Sequence, residues 1–147
     1  MHEQVDRLTE SLREFTEVVD RFPESRRLEV VFDSWSLREV LTHMAACDST
    51  LTAGLQDLQK GLEPPFMDNT QKYNEEAAEK AQTLSWNQAY CEFIEAGEGL
   101  ILAYAQLPEN LWQKPFWCGK KYTPARFFDV TIRHYKEEHL PEILKFI

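Results

Sequence analysis

The chain has 147 residues, 43% of them hydrophobic, which is enough to bury one core, so we expect a single domain over residues 1–147. A formal net charge of −9 and the lack of a long apolar run predict neither a nucleic-acid nor a membrane partner. The first residues lack the apolar stretch of a secretory signal, and the three cysteines are widely spaced. We therefore expect a cytoplasmic protein with free thiols.

The first predicted helix covers residues 2–22, where hydrophobic residues recur at helical spacing until Pro23. The connector at residues 26–33 contains β-branched residues, which favour a short extended stretch. No part of the chain shows the alternation that predicts a strand in a sheet.

The second predicted helix covers residues 37–60 and begins with a capping box. In this motif the Ser36 hydroxyl and the Glu39 carboxylate each accept a bond from a free backbone N–H. After the stiff pair at residues 64–65, residues 69–82 are rich in Glu, Ala and Lys and predict a short helix on the surface.

A second capping box, formed by Ser85 and Gln88, begins a predicted helix over residues 86–106. Thr123, followed by a proline suited to the first turn, begins the last predicted helix, which continues to residue 146. The pattern predicts an all-α protein, a four-helix bundle with a long connection and a short extra helix between helices 2 and 3.

Three of the four histidines lie in two of these helices. His43 is in the second helix, at the edge of its apolar stripe, while His139 falls within the stripe of the last helix, four residues after Tyr135. We therefore expect the His43 and His139 side chains to face one cavity. Imidazoles on facing helices can form a metal site or an acid–base pocket.

The position of His134 depends on the local form of the last helix. In a regular α-helix, five residues turn a side chain by about 500°, which leaves the rings of His134 and His139 about 140° apart and His134 on the surface. A single π turn would bring the two rings back into line. Pro141 favours such a turn, because it cannot donate a hydrogen bond to the carbonyl of Glu137.

Several short motifs resemble the DinB/YfiT superfamily of four-helix-bundle proteins. They are Trp35-Ser36-Leu37, Glu39-Val40-Leu41 with His43, and His134-Tyr135 with Glu138-His139-Leu140 and Ile143. Three further stretches are similar to the branch that includes ClbS and DfsB. These are Asn74-Glu75-Glu76-Ala77-Ala78, Leu84-Ser85-Trp86 and Leu107-Pro108-Glu109.

The resemblance implies two kinds of activity. Members similar to YfiT hold a divalent metal with three histidines, one from the second helix and two that lie four residues apart in the last, and several act as thiol transferases or isomerases. His43 and His139 match the first and the last of these ligands, and His134 would be the third, although it lies five residues before His139. Zinc or nickel would be the metal. The ClbS-like branch implies detoxification of a reactive compound by hydrolysis, without a general need for metal. The resemblance thus favours a small-molecule hydrolase or transferase. A protein that sequesters a small hydrophobic ligand is the alternative, and either could form a homodimer.

Asp48 lies within the apolar stripe of the second helix, where a carboxylate is costly unless it is paired. One interpretation is a hydrogen bond to a buried Trp, Tyr or backbone group. The other is functional: Asp48 would orient His139 or His43, or bind a metal together with them. Without a metal, His139 would be the general base, Tyr135 the proton donor and Asp48 the orienting carboxylate.

Two cysteines are weaker candidates. Cys47 follows His43 by one turn and is either a soft metal ligand or core filler, and we assign no nucleophilic role to Cys118. Because a regular helix would separate His134 from His139, the sequence favours a protein without a stoichiometric metal.

Overall fold

The computed structural model describes residues 2–64, 70–117 and 121–147. Its long elements in these ranges are helical, with one two-stranded hairpin between the first two helices. The elements are α1 His2–Arg21, β1 Val30–Phe32, β2 Trp35–Ser36, α2 Leu37–Gln59, α3 Thr70–Ala81, α4 Trp86–Gln106, α5 Pro124–Arg133, a π-helical turn His134–His139, and α6 Leu140–Leu144. The predicted helical class is confirmed. The predicted start of the third helix, at residue 69, lies outside the described residues.

The hairpin is a departure from the sequence prediction. Strands β1 and β2 pair antiparallel, with Val30 opposite Ser36 and Phe32 opposite Trp35. Asp33 adopts a φ of 55° in the turn between them, a conformation that aspartate tolerates better than most residues. The sequence predicted a short extended stretch within residues 26–33, where β1 lies, but it did not predict the pairing with β2, because strands of two or three residues are too short to show an alternating pattern.

The two predicted capping boxes differ in the structure. At the start of α4, the Ser85 side chain accepts a bond from the Gln88 N–H, and the Gln88 side chain accepts one from the Ser85 N–H, as predicted. At the start of α2, Ser36 accepts from the Glu39 N–H, but the Glu39 carboxylate accepts from the Ser36 hydroxyl. The reciprocal backbone bond is missing there because Ser36 also ends β2, which pairs with β1.

Helix α2 packs along α4 and also contacts α3, while α1 packs against α4 and the π turn. This arrangement creates two buried regions. We call the first the histidine end; it contains Phe15, Phe93 and Tyr135 and adjoins His43, His134 and His139. We call the second the aromatic end; it is formed mainly by Tyr104, Trp112 and Phe128. In the described ranges, no helix has the length and apolarity needed to cross a membrane.

Candidate metal centre

The first histidine of the site comes from α2. His43 is 7% exposed, and its ring lies against that of Trp35 with 5.0 Å between the centroids. Since Trp35 belongs to β2, the short hairpin covers this side of the site. The sequence placed His43 at the edge of the apolar stripe, and the hairpin accounts for its burial.

The other two histidines come from the π turn. The Leu140 N–H donates to the carbonyl of Tyr135, five residues earlier, and the helix around it is therefore widened by one residue. The expectation of a regular α-helix with His134 on the surface is wrong, since the His134 side chain is only 15% exposed. The π-helical alternative is the form that the structure adopts, directly before Pro141.

The π turn brings the three imidazoles together. His134 Nε2 lies 3.0 Å from His43 Nε2 and 2.9 Å from His139 Nε2. The ring centroids of His43 and His139 are 5.6 Å apart, which confirms that these two side chains face one site. An imidazole nitrogen has one in-plane position, occupied by either a proton or a lone pair, so His134 Nε2 cannot form good hydrogen bonds to both neighbours.

All three imidazoles are neutral at physiological pH. Burial, followed by the neighbouring His139 and His43, lowers the pKa of His134 to about 3. Burial and His43 lower the pKa of His139 to about 4. Burial also lowers the pKa of His43, and the neighbouring Asn74 side chain opposes this shift. The site therefore presents lone pairs, which is the form that binds metal.

These positions fit a metal ion. Two nitrogens bound to one ion at about 2.0–2.1 Å lie about 2.9–3.4 Å apart for bond angles of about 90–110°. The two measured nitrogen distances from His134, 2.9 and 3.0 Å, agree with that span. Donor atoms of His43, His134 and His139 all lie within 4.8 Å of one another, the only such group of potential ligands in the described part of the chain.

The structure pairs Asp48 with Tyr135. The Tyr135 hydroxyl donates to Asp48 Oδ2 at 2.5 Å, and both residues are 2% exposed. Burial raises the pKa of Asp48 to about 7, although the bond from Tyr135 opposes this shift. Of the two interpretations made from the sequence, the hydrogen bond to a buried tyrosine matches the observed contact. Among the described residues, neither side chain is hydrogen-bonded to a histidine.

Cys47 lies beside His43 on α2. Its Sγ is 3.9 Å from His43 Nδ1 and 4.0 Å from Nε2, and burial raises the pKa of its thiol to about 12. This thiol is therefore neutral at physiological pH and adjoins the three-histidine group without belonging to it. Cys118 lies outside the described residues.

A cavity of about 510 Å³ opens next to the histidines. One wall is aromatic, with Trp117, Tyr122 and Phe127, and the lining also includes Tyr73 and Asn74 of α3. The sequence predicted α3 as a surface helix and missed this contribution. Helical phase could have shown it, since residue 74 lies three and seven positions before the buried Ala77 and Ala81.

Comparison of the sequence with known protein families assigns the chain to a class. The sequence matches the family described as mycothiol maleylpyruvate isomerase N-terminal domain over residues 5–137. The chain belongs to this family, which is a member of the DinB/YfiT-like superfamily. The matched region includes His43 and His134 and ends before His139. No curated protein and no solved structure matches the chain.

Proposed function

We propose that this protein is a metal-dependent enzyme acting on a small molecule, in a four-helix bundle of the DinB/YfiT type. His43, His134 and His139 would hold one divalent transition-metal ion, zinc or nickel. The observation that carries the proposal is the meeting of three Nε2 atoms around His134, at 2.9 and 3.0 Å. Membership of the family fits a metal-dependent enzyme.

The expectation of a protein without metal rested on a regular last helix, and the π turn removes that reason. Neutral imidazoles suit zinc, copper, iron and nickel. Three protein ligands are also the usual number at catalytic zinc sites, which keep a position for substrate or water. A bound ion would supply Lewis-acid chemistry, making water or a thiol a stronger nucleophile near neutral pH.

The protein's own residues would bind the substrate and keep bulk water from the site. The cavity beside the histidines is large enough for a small organic molecule, and its aromatic wall favours an apolar part of that molecule. Arg126, which is exposed and lines the same cavity, offers a positive charge to an anionic substituent. The substrate we propose therefore combines an apolar group with a polar or anionic one.

The family's description names mycothiol, which favours a transferase or isomerase that uses a thiol. Hydrolysis of a reactive compound, as the resemblance to the ClbS/DfsB branch implies, is the second candidate. In the metal-dependent form proposed here, both reactions would use His43, His134 and His139, so one set of variants tests them. In a metal-free mechanism, by contrast, His139 would act as a base and His134 would not be needed.

Metal content is the first test. The protein is equilibrated with zinc or nickel, dialysed and submitted to elemental analysis. We expect about one equivalent in the parent and loss of the metal in His43→Ala, His134→Ala and His139→Ala. Lys136→Ala is the matched control, because it alters an exposed residue of the same π turn and should retain the metal. A metal-free parent, or retention in all three histidine variants, would contradict the proposal.

Turnover separates the enzyme from a binding protein. The metal-loaded protein is assayed for hydrolysis of p-nitrophenyl acetate and for transfer of a small thiol to chlorodinitrobenzene. A metal-dependent rate that disappears in His134→Ala supports the enzyme, and the active assay identifies its reaction class. Stoichiometric metal with no turnover of any electrophile tested would favour sequestration of a ligand instead.

A further inference from the structure

One buried hydrogen bond connects the two elements that carry the histidines. Tyr135, which directly follows His134 in the π turn, donates its hydroxyl to Asp48 at 2.5 Å. Asp48 lies on α2, as does His43. The bond therefore joins α2, which carries His43, to the π turn, which carries His134 and His139.

Tyr135 is the only buried residue of the π turn, and its ring is held tightly. It packs edge-on against Phe15, with 5.4 Å between centroids, and against Phe93 at 6.2 Å. On α4, a Cβ added to Gly97 would lie 3.4 Å from the Tyr135 hydroxyl, so the backbone approaches closely at that point. The ring thus has one orientation in the core.

A change from the π turn to a regular α-helix would alter this arrangement. A π turn accommodates one more residue than an α turn. In the α form, the side chains after the turn would therefore be rotated by about 100° relative to those before it. With Tyr135 held in the core, His139 would then move away from His134. If instead the buried Leu140 and Ile143 kept their positions after the turn, Tyr135 would rotate away from Asp48. That carboxyl would then lose its only side-chain partner among the described residues, which is costly, so the hydrogen bond favours the π form.

We infer that the Asp48–Tyr135 hydrogen bond holds the π turn in the register that brings His134 and His139 to the same point as His43. Both residues are thus positioning residues for the proposed metal site rather than ligands. The metal part of this inference rests on the proposed function, whereas the part that concerns the π turn does not.

Tyr135→Phe tests the inference, because it keeps the ring and removes the hydroxyl. Tyr104→Phe is the matched control: Tyr104 is 1% exposed and donates to the carbonyl of Pro124 at 2.9 Å, at the aromatic end. Zinc affinity is measured by competition with a chelator, and amide exchange over residues 134–140 is measured in the metal-free protein. We expect Tyr135→Phe to weaken zinc binding about 10–100-fold and to speed this exchange, with neither effect in Tyr104→Phe.

Two substitutions of Asp48 separate the hydrogen bond from the negative charge. Asp48→Asn retains an oxygen that can accept the hydrogen bond from the Tyr135 hydroxyl, so we expect nearly the parent affinity and exchange. Asp48→Leu has a side chain branched at the same carbon, larger and without an acceptor, and should behave like Tyr135→Phe. The inference fails if Tyr135→Phe or Asp48→Leu matches the parent in both measurements.

The two readouts distinguish this inference from the proposed function. If the parent binds no zinc, the proposed function fails, but faster exchange of the π turn in Tyr135→Phe still supports the positioning role. If the parent binds zinc and Tyr135→Phe binds it equally well with unchanged exchange, the positioning role fails and the metal site stands.

Discussion

The aromatic end and the histidine end are both buried, but they differ in whether their polar atoms have hydrogen-bond partners. At the aromatic end, the Tyr104 hydroxyl donates to the carbonyl of Pro124 at 2.9 Å, and Trp112 Nε1 donates to that of Leu107 at 3.3 Å. At the histidine end, His134 Nε2 faces two other ring nitrogens, and His139 Nδ1 is buried with no partner among the described residues.

The difference indicates what each region contributes. Polar groups that all find backbone partners stabilise the fold and leave nothing to bind a ligand. Neutral imidazoles that meet one another without good hydrogen bonds are costly, and a cation that accepts their lone pairs would remove that cost. The comparison therefore indicates that Tyr104, Trp112 and Phe128 at the aromatic end stabilise the fold, and it supports the proposed metal site at the histidine end.

Trp112→Ala should produce the largest change in stability. The Trp112 side chain is 1% exposed and packs on Tyr104 and Phe128, with centroid distances of 5.1 and 6.0 Å. We expect its removal to lower the free energy of unfolding by about 3–5 kcal/mol in a denaturant titration, with the same zinc stoichiometry as the parent. Leu102→Ala, at a residue 56% exposed, should have little effect. Loss of zinc from a folded Trp112→Ala variant would show that the two ends are not separable.

Gly54→Ala should have an intermediate effect on the aromatic wall of the cavity. A Cβ at Gly54 would lie 2.3 Å from Cζ3 of Trp117, so the indole or α2 must move. We expect a loss of about 1–3 kcal/mol despite the better helix propensity of alanine. At Gly99 a Cβ would meet no atom within 4 Å, so Gly99→Ala should be neutral or stabilising. Equal thermal unfolding of the two variants would contradict the close packing of Trp117 on α2.

The pH dependence of stability should give the smallest effect per pH unit, because the two histidines and Asp48 act in opposite senses. Folding lowers the pKa of His134 to about 3 and that of His139 to about 4, so the unfolded chain binds more protons below the ordinary histidine pKa of 6.5. The metal-free protein should therefore lose stability as the pH falls from 6.5 towards 4. Asp48 acts in the opposite sense, because its raised pKa of about 7 favours the folded state at low pH and this contribution is lost as the pH rises through 7.

Chemical denaturation at several pH values checks this dependence. His134→Gln should reduce the slope of stability against pH in this range by up to about 1.4 kcal/mol per pH unit, whereas Asp48→Asn should make it steeper. An unchanged slope in both variants would mean that these groups are not buried in the forms described.

The features that sequence predicted well depend on residues close together in the chain. The Ser85–Gln88 box joins residues three apart, and its two hydrogen bonds form as predicted. Helical phase also predicted the inward position of Asp48, which is 2% exposed. The sequence also predicted that Asp48 is hydrogen-bonded to a buried Trp, Tyr or backbone group. It could not select Tyr135 as the partner, because that choice depends on how two distant helices pack.

The sequence by itself determined the helical class, the starts of α2, α4 and α5, and the facing positions of His43 and His139, because caps and apolar periodicity are local properties. Only the tertiary structure decided between an α and a π turn at residues 134–139. The π turn is compatible with Pro141, but we attribute its selection to contacts of Tyr135 with Phe15 and with Asp48, 87 residues earlier. Such long-range burial and hydrogen bonding outweigh the local preference for a regular helix, and they have no signature within the segment itself.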